Sequence, residues 1–279
     1  MTILGFTLIV FAGAMIAGFL GALTGLGGGV VIVPLLTLAF GVDIHYAIGA
    51  SLVAVIGTSS GAAAAYVKEG FTNIRIGMFL EIATTIGAIG GAFLAGVLAP
   101  SIIAVIFGLV LIYSSFLSLR GKHDDPKGDD PPDRLATRLK LNGSFPTPDG
   151  MKSYHVHSVP AGFGLMSLAG VLSGLLGIGS GAVKVLAMDQ AMRIPFKVST
   201  TTSNFMIGVT AAASAGIYLQ RGYIDPTIAM PVMLGVLVGS MTGARVLVQT
   251  HPKALRPVFA VVIFILALEM ILNGVTGKI

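Results

Sequence analysis

Residues 25–29 read Gly-Leu-Gly-Gly-Gly, and residues 177–181 read Gly-Ile-Gly-Ser-Gly. The second run stands 152 residues after the first (177 − 25 = 152), and the chain slid over itself at that offset matches residues 17–92 onto 169–244 without a gap. Of the 76 aligned positions 20 are identical. Membrane-like composition alone would share Gly and Ala, but the match also holds Ser51/Ser203, Thr58/Thr210, Tyr66/Tyr218, Gly70/Gly222, Gly87/Gly239 and Gly91/Gly243. One unbroken register through polar and aromatic positions reads as an internal duplication.

The glycine runs lie in a chain of 279 residues, 54% hydrophobic and 10% charged, whereas an ordinary soluble domain carries about 25% charge. Apolar segments run over 3–23, 30–42, 45–66, 76–99 and 101–119, then over 160–176, 181–192, 198–219, 227–249 and 256–274. Most are near the roughly 20 residues that cross a hydrocarbon core. The first has no basic stretch before it and no small-residue cleavage site, so it reads as a retained membrane segment. The absence of Cys excludes disulfides, thiolate catalysis and cysteine-ligated metal sites. Trp is absent as well, which leaves interfacial anchoring to Tyr, Lys and Arg. The net charge of +5 reports membrane topology rather than nucleic-acid binding.

The expected fold is an all-α integral membrane protein of two homologous repeats, residues 1–119 and 159–279, each of about four to five helical segments. Residues 120–158 are the connector. They hold Asp124, Asp125, Asp129, Asp130, Asp133 and Asp149 against seven Lys/Arg, with Pro131, Pro132, Pro146 and Pro148, a composition that cannot span; Thr147-Pro148-Asp149-Gly150 suits a hairpin turn. Each half also has one segment, 30–42 or 181–192, too short to cross and directly after its glycine run, which fits a glycine-broken or re-entrant helix. If that segment returns to the side it came from, the halves are inverted; if it continues the preceding helix, they are parallel. Inversion gathers thirteen basic residues on the connector side against Arg221 and Lys278 opposite, and the parallel arrangement splits them eleven to four. The positive-inside rule favours inversion, with the connector cytoplasmic and both termini outside.

Dense glycine breaks a helix and leaves backbone N–H groups unpaired at the start of the next one, where the helix dipole adds positive potential. Two such starts meeting at mid-membrane make an anion cradle from Gly27, Gly28, Gly29 and Gly179, Ser180, Gly181. Close helix packing is the competing reading of any one run. Ser51 and Ser203, at equivalent positions of the helix after each short segment, and Asn204 are candidate hydrogen-bond donors to substrate, with capping and interhelical bonding as their alternative. Ionisable residues inside apolar segments are functional candidates by their cost there. Lys184, three residues after Gly181, adds charge to the cradle or pairs with a carboxylate. Glu81, mid-segment, is the natural proton carrier, since hydrocarbon tolerates the neutral acid. Asp189 is a second coupling candidate, although it and Arg245 stand nearer segment ends, within reach of the interface; Glu269 reads as interfacial. His155-Val156-His157 has no third ligand at metal-site spacing, and neither a metal nor a cofactor is expected. No HExxH or GxSxG pattern occurs, which argues against an enzyme.

The chain resembles the TauE/SafE sulfite exporter family, also described as a toluene-sulfonate uptake permease family. The resemblance lies in Gly25–Gly29 with Pro34 after it, Gly49-Ala50-Ser51, the Tyr66 to Gly70 segment and the second-half copies, including Thr200-Thr201-Thr202-Ser203-Asn204. It implies movement of a sulfur-containing anion such as sulfite, sulfoacetate or an aryl sulfonate across the bacterial inner membrane, coupled to protons, with membrane lipid around it and a homodimer as a compatible assembly. A channel built on the same helix ends is the alternative. Leu186 stands opposite Pro34, and Lys184 opposite Ile32, so the two clusters are not expected to bind substrate equally.

Overall fold

A computed structural model describes residues 3–24, 28–68, 70–119, 133–147, 150–249 and 252–279. Among them are eleven α-helices: α1 Ile3–Thr24, α2 Gly29–Pro34, α3 Ile44–Lys68, α4 Ile74–Ala95, α5 Pro100–Leu119, α6 Arg134–Arg138, α7 Val159–Leu176, α8 Gly181–Leu186, α9 Phe196–Gln220, α10 Pro226–Gln249 and α11 Pro252–Val275. Helices α2 and α8 each run on into a five-residue π-helical turn, Leu35–Ala39 and Ala187–Ala191. Pro100, Pro226 and Pro252 open their helices, where a missing N–H costs nothing. Asn73 caps α4 by accepting from the Ile76 N–H. Helix α7 stops at Gly177, whose φ of +67° is the left-handed conformation that glycine adopts freely.

Each short segment, with its π-helical turn, touches residues of the helix before it or just ahead of that helix. In the first half the rings of Phe6 and Phe40 meet edge-on at 6.3 Å, and Gly13 packs against Leu35 and Phe40. In the second half the His157 N–H donates to the Met192 carbonyl at 3.1 Å, and Gly162 packs against Met192. Beyond these, the principal helix pairs are α1 with α10, α7 with α4, α3 with α9, α5 with α11, α3 with α10 and α9 with α4. Replacing each helix by the one 152 residues away leaves this set unchanged. The correspondence extends to single contacts: Gly18 lies on the Val236 carbonyl as Gly170 lies on that of Thr84, and Gly239 on the Met15 carbonyl as Gly87 on that of Ser167. Where lipid tails offer no hydrophobic drive between helices, such small residues allow the close van der Waals approach that holds them together.

The bundle has two chemically distinct ends. At one, His45 stacks on Tyr223 at 4.9 Å with its Nε2 3.0 Å from the Ala95 carbonyl, and Arg221 donates to the Ala92 carbonyl. At the other sits the connector, whose strands β1 Gly143–Thr147 and β2 Gly150–Tyr154 pair antiparallel, with Thr147 opposite Gly150; Asp124, Asp125, Asp129, Asp130, Pro148 and Asp149 lie outside the described residues. Leu141, Phe145, Tyr154 and Val156 pack with Ile76 and Leu80 of α4 and with Met188 and Met192. The Tyr154 hydroxyl accepts from Asn73 Nδ2 at 2.6 Å, and burial pushes its pKa above the usual phenol value. Arg75 donates to the Lys140 carbonyl at 2.9 Å, and Lys197 Nζ lies 3.7 Å over the Phe71 ring.

Outer faces are apolar. Met78, Ile82, Ile86 and Phe93 of α4 are exposed at helical spacing, as are Phe264, Leu268 and Leu272 of α11, the signature of a surface facing a non-aqueous solvent. Among the described residues, Ile74–Ala95, Val159–Leu176 and Pro226–Gly243 are long and apolar enough to cross a membrane. Glu269 is exposed on the outward side of α11.

A Cβ on Gly174 would collide with the Ala88 carbonyl, whereas one on Gly164, in the same helix, would meet nothing within 4 Å. Gly174→Val is therefore expected to destabilise the purified protein by about 2 kcal/mol or more, read as a lower unfolding midpoint in detergent, and Gly164→Val to shift it by no more than about 0.5 kcal/mol.

Candidate functional site

Gly29, at the end of the first glycine run, meets Gly177 of the second in the interior. A Cβ on Gly29 would stand 3.0 Å from the Gly177 carbonyl oxygen and 2.8 Å from Ser51 Oγ. Ser51 itself donates to Gly177 O at 2.8 Å, tying α3 to the other half's break. Its counterpart Ser203, on α9, donates to Gly181 O at 3.3 Å. Val55 and Ile207 fill the remaining space against Gly29, Gly179 and Gly181, so these glycines are also packing residues. Gly28 precedes α2 with an ordinary right-handed conformation. Gly27 lies outside the described residues.

Ser180 differs from its surroundings in two ways. It adopts φ +48°, a left-handed conformation that costs a side-chain-bearing residue about 1 kcal/mol. It is also 3% exposed, yet among the described residues its hydroxyl has no hydrogen-bond partner and does not cap α8. Ser180 thus joins a left-handed backbone to an unspent hydroxyl at the start of α8, where first-turn N–H groups lack helical acceptors.

One turn further along α8 lies a buried hydrogen-bonded chain between oppositely charged side chains. Lys184 is 0% exposed, and its Nζ donates to Thr210 Oγ1 at 2.6 Å. The Thr210 hydroxyl in turn donates to Glu81 Oε1 at 2.7 Å. Thr85 donates to the same oxygen at 3.2 Å. Glu81 is 6% exposed, and its other oxygen, Oε2, is buried without a partner among the described residues. A threonine hydroxyl suits the middle position because it accepts from the ammonium and donates to the carboxylate at once.

Of the two roles the sequence leaves open for Lys184, the structure shows the link to a carboxylate. Asp189, the second coupling candidate, is buried at 9% exposure in the π-helical turn, which packs on α7 and α9. Asn204 is half-buried on α9, one position after Ser203. The side chain of Arg245 lies outside the described residues. Sequence reasoning missed Thr210 as a site residue. Its identity with Thr58 was visible in the duplication, but only folding brings α4, α8 and α9 together around it.

Comparison with known proteins gives a coherent answer. The family model described as sulfite exporter TauE/SafE matches residues 10–270. The probable membrane transporter protein YunE of Bacillus subtilis is 27% identical over 280 residues, covering 98% of this chain and 99% of the relative. A probable membrane transporter protein of Xylella fastidiosa is 26% identical over 276 residues, 97% of each chain. The probable membrane transporter protein MJ0441 of Methanocaldococcus jannaschii is 26% identical over 271 residues, 92% of each. No solved structure matches the chain. Family and relatives alike are membrane transporters and not enzymes.

Removing the bridging hydroxyl at constant shape tests the chain of three. Thr210→Val is expected to cost about 1–3 kcal/mol, since it leaves two buried charged groups without their link. Thr58→Val, whose hydroxyl bonds only the Ala54 and Val55 carbonyls of its own helix, is expected to cost under about 1 kcal/mol by the same measure of thermal unfolding.

Proposed function

The chain belongs to the sulfite exporter TauE/SafE family, and on that premise we propose that it is a secondary transporter of a sulfur-containing anion, sulfite, sulfoacetate or another organosulfonate, in the bacterial inner membrane. The observation that carries this reading is the meeting of Gly29 with Gly177, pinned by Ser51. The oxyanion sits at that junction. Backbone N–H groups of the two glycine runs, with Ser180 and Asn204, supply donors, Ser51 and Ser203 line the site while tying the Gly177 and Gly181 carbonyls, and Lys184 supplies charge. Transport is coupled to protons, with Glu81 and Asp189 as the acidic groups inside the bundle.

Residues 1–119 and 159–279 act as inverted repeats around this site. Supporting that arrangement, the first short segment returns to Phe6, at the end of the bundle marked by His45, and the second returns to His157, at the connector end. The helix pairs that map onto one another under the 152-residue shift supply matched halves that can rock to alternate access. The basic residues Arg75, Lys140, Lys152, Arg193 and Lys197 belong with the connector end, which by the positive-inside rule faces the cytoplasm.

Reconstituted in proteoliposomes, the protein is expected to accumulate at least one of sulfite, sulfoacetate and toluene-sulfonate above equilibrium under an imposed proton gradient. Dissipation of the anion's own gradient without accumulation would make it a channel. Undiminished flux in a variant combining Ser51→Ala, Lys184→Ala, Ser203→Ala and Asn204→Ala would refute the site.

A further inference from the structure

The polar chain Lys184–Thr210–Glu81 joins the two halves, Glu81 from the first and Lys184 and Thr210 from the second, and the duplication holds no second copy of it. Shifted by 152 residues, its members and their neighbours become Ile32, Thr58, Met233 and Val236 for Lys184, Thr210, Glu81 and Thr84. Thr58 is retained, but Ile32 and Val236 are buried apolar residues, and Gly28 packs between them. An ionic feature absent from the mirror position is not needed to build the fold, since the same packing is made there without it.

Lys184 is the charged side chain whose field acts on Glu81, while Asp189 lies in the π-helical turn packed on α7 and α9. Of the helices packed on α4, α7 carries no ionisable side chain. Helix α9 carries Lys197, over the Phe71 ring at the connector end, and Tyr218, bound to the Gly174 carbonyl. Lys184 is the charged group that acts on Glu81, and Glu81 the one that acts on Lys184. With Glu81 ionised the pair is neutral and offers an anion nothing. With a proton on Glu81 Oε2, the bare buried oxygen, the site keeps the Lys184 ammonium alone, and an uncompensated charge in a water-free interior demands a counterion.

The geometry points to Glu81 as the proton site and Thr210 as the link through which its protonation frees Lys184 for the anion, so that one proton and one anion bind together and travel in the same direction. This inference rests on the transporter reading given above. It turns the asymmetry of the two halves into a coupling rule: the proton enters Oε2, the Thr210 hydroxyl gives up its ionic acceptor, and the Lys184 N–H groups become available to an oxyanion one helical turn from Ser180. Return of the proton to water restores the neutral pair and expels the anion.

The test is counterflow of radiosulfur-labelled sulfite, sulfoacetate or toluene-sulfonate in proteoliposomes. Toluene-sulfonate is the preferred probe because it stays ionised at every working pH. Wild-type apparent affinity is expected to weaken by about tenfold per pH unit above the titration of Glu81, and Glu81→Gln to exchange the anion with no pH dependence while losing proton-driven accumulation. A Glu81→Gln variant that keeps pH dependence, or an Asp189→Asn variant that alone loses it, would overturn the inference. Should Glu81→Gln not fold, the wild type still decides: adding toluene-sulfonate to protein in weak buffer with an indicator dye is expected to draw in about one proton per anion bound, and no uptake, or release, would overturn the proposal. Failure of the wild type to exchange any of the three anions would instead sink the transporter reading itself.

Discussion

A backbone N–H or C=O left unpaired in hydrocarbon costs several kcal/mol, so an interrupted helix is tolerated at membrane depth only where protein surrounds the break. The interruption between α7 and α8 obeys that constraint. The Gly177 carbonyl, exposed by the end of α7, takes the Ser51 hydroxyl, and the Gly181 carbonyl takes that of Ser203. Val55, Ile48 and Ile207 close over the glycines. Around the break the α1/α10 and α7/α4 pairs approach to backbone contact through glycine, and apolar faces turn outward.

Covering a break by protein also excludes water from it, which raises the cost of any charge placed nearby and makes each one informative. Lys184 and Glu81 are held by a single hydroxyl rather than by direct contact. Such an arrangement is easily rewired, because displacing one hydrogen bond changes the partner of both ions. A direct, bidentate pair would lock the same charges together. The soft link suits a site whose charge must be shared between a resident carboxylate and a passing anion.

Much of this was legible in the sequence, for identifiable reasons. The 152-residue register was visible because Ser51/Ser203 and Thr58/Thr210 keep step with the glycines, and 30–42 and 181–192 stood out as too short for the hydrocarbon thickness; short helices α2 and α8, each followed by a π-helical turn, occupy them. The hairpin around Thr147 and Gly150 followed from turn chemistry. What the sequence hid were contacts between segments far apart in the chain. Glu81 and Lys184 stood out singly as costly residues, but their partnership depends on Thr210, 129 residues from Glu81. The burial of Asp189 was hidden too, because position along an apolar run stands in for depth only when the helix is regular, and a π-helical turn changes which side chains face inward. Ser180 looked like one more small residue in a glycine run; its left-handed backbone and unspent hydroxyl are properties of the fold.

The most direct measurement is thermal unfolding of the purified protein with sulfite, sulfoacetate, toluene-sulfonate, sulfate and acetate in turn, since a ligand bound only by the folded state raises stability by mass action. Selective stabilisation by a sulfur oxyanion that disappears in Lys184→Gln is the expected result. The same response to every anion, or a selective shift that survives in Lys184→Gln, would contradict an oxyanion site at the junction of the two glycine runs.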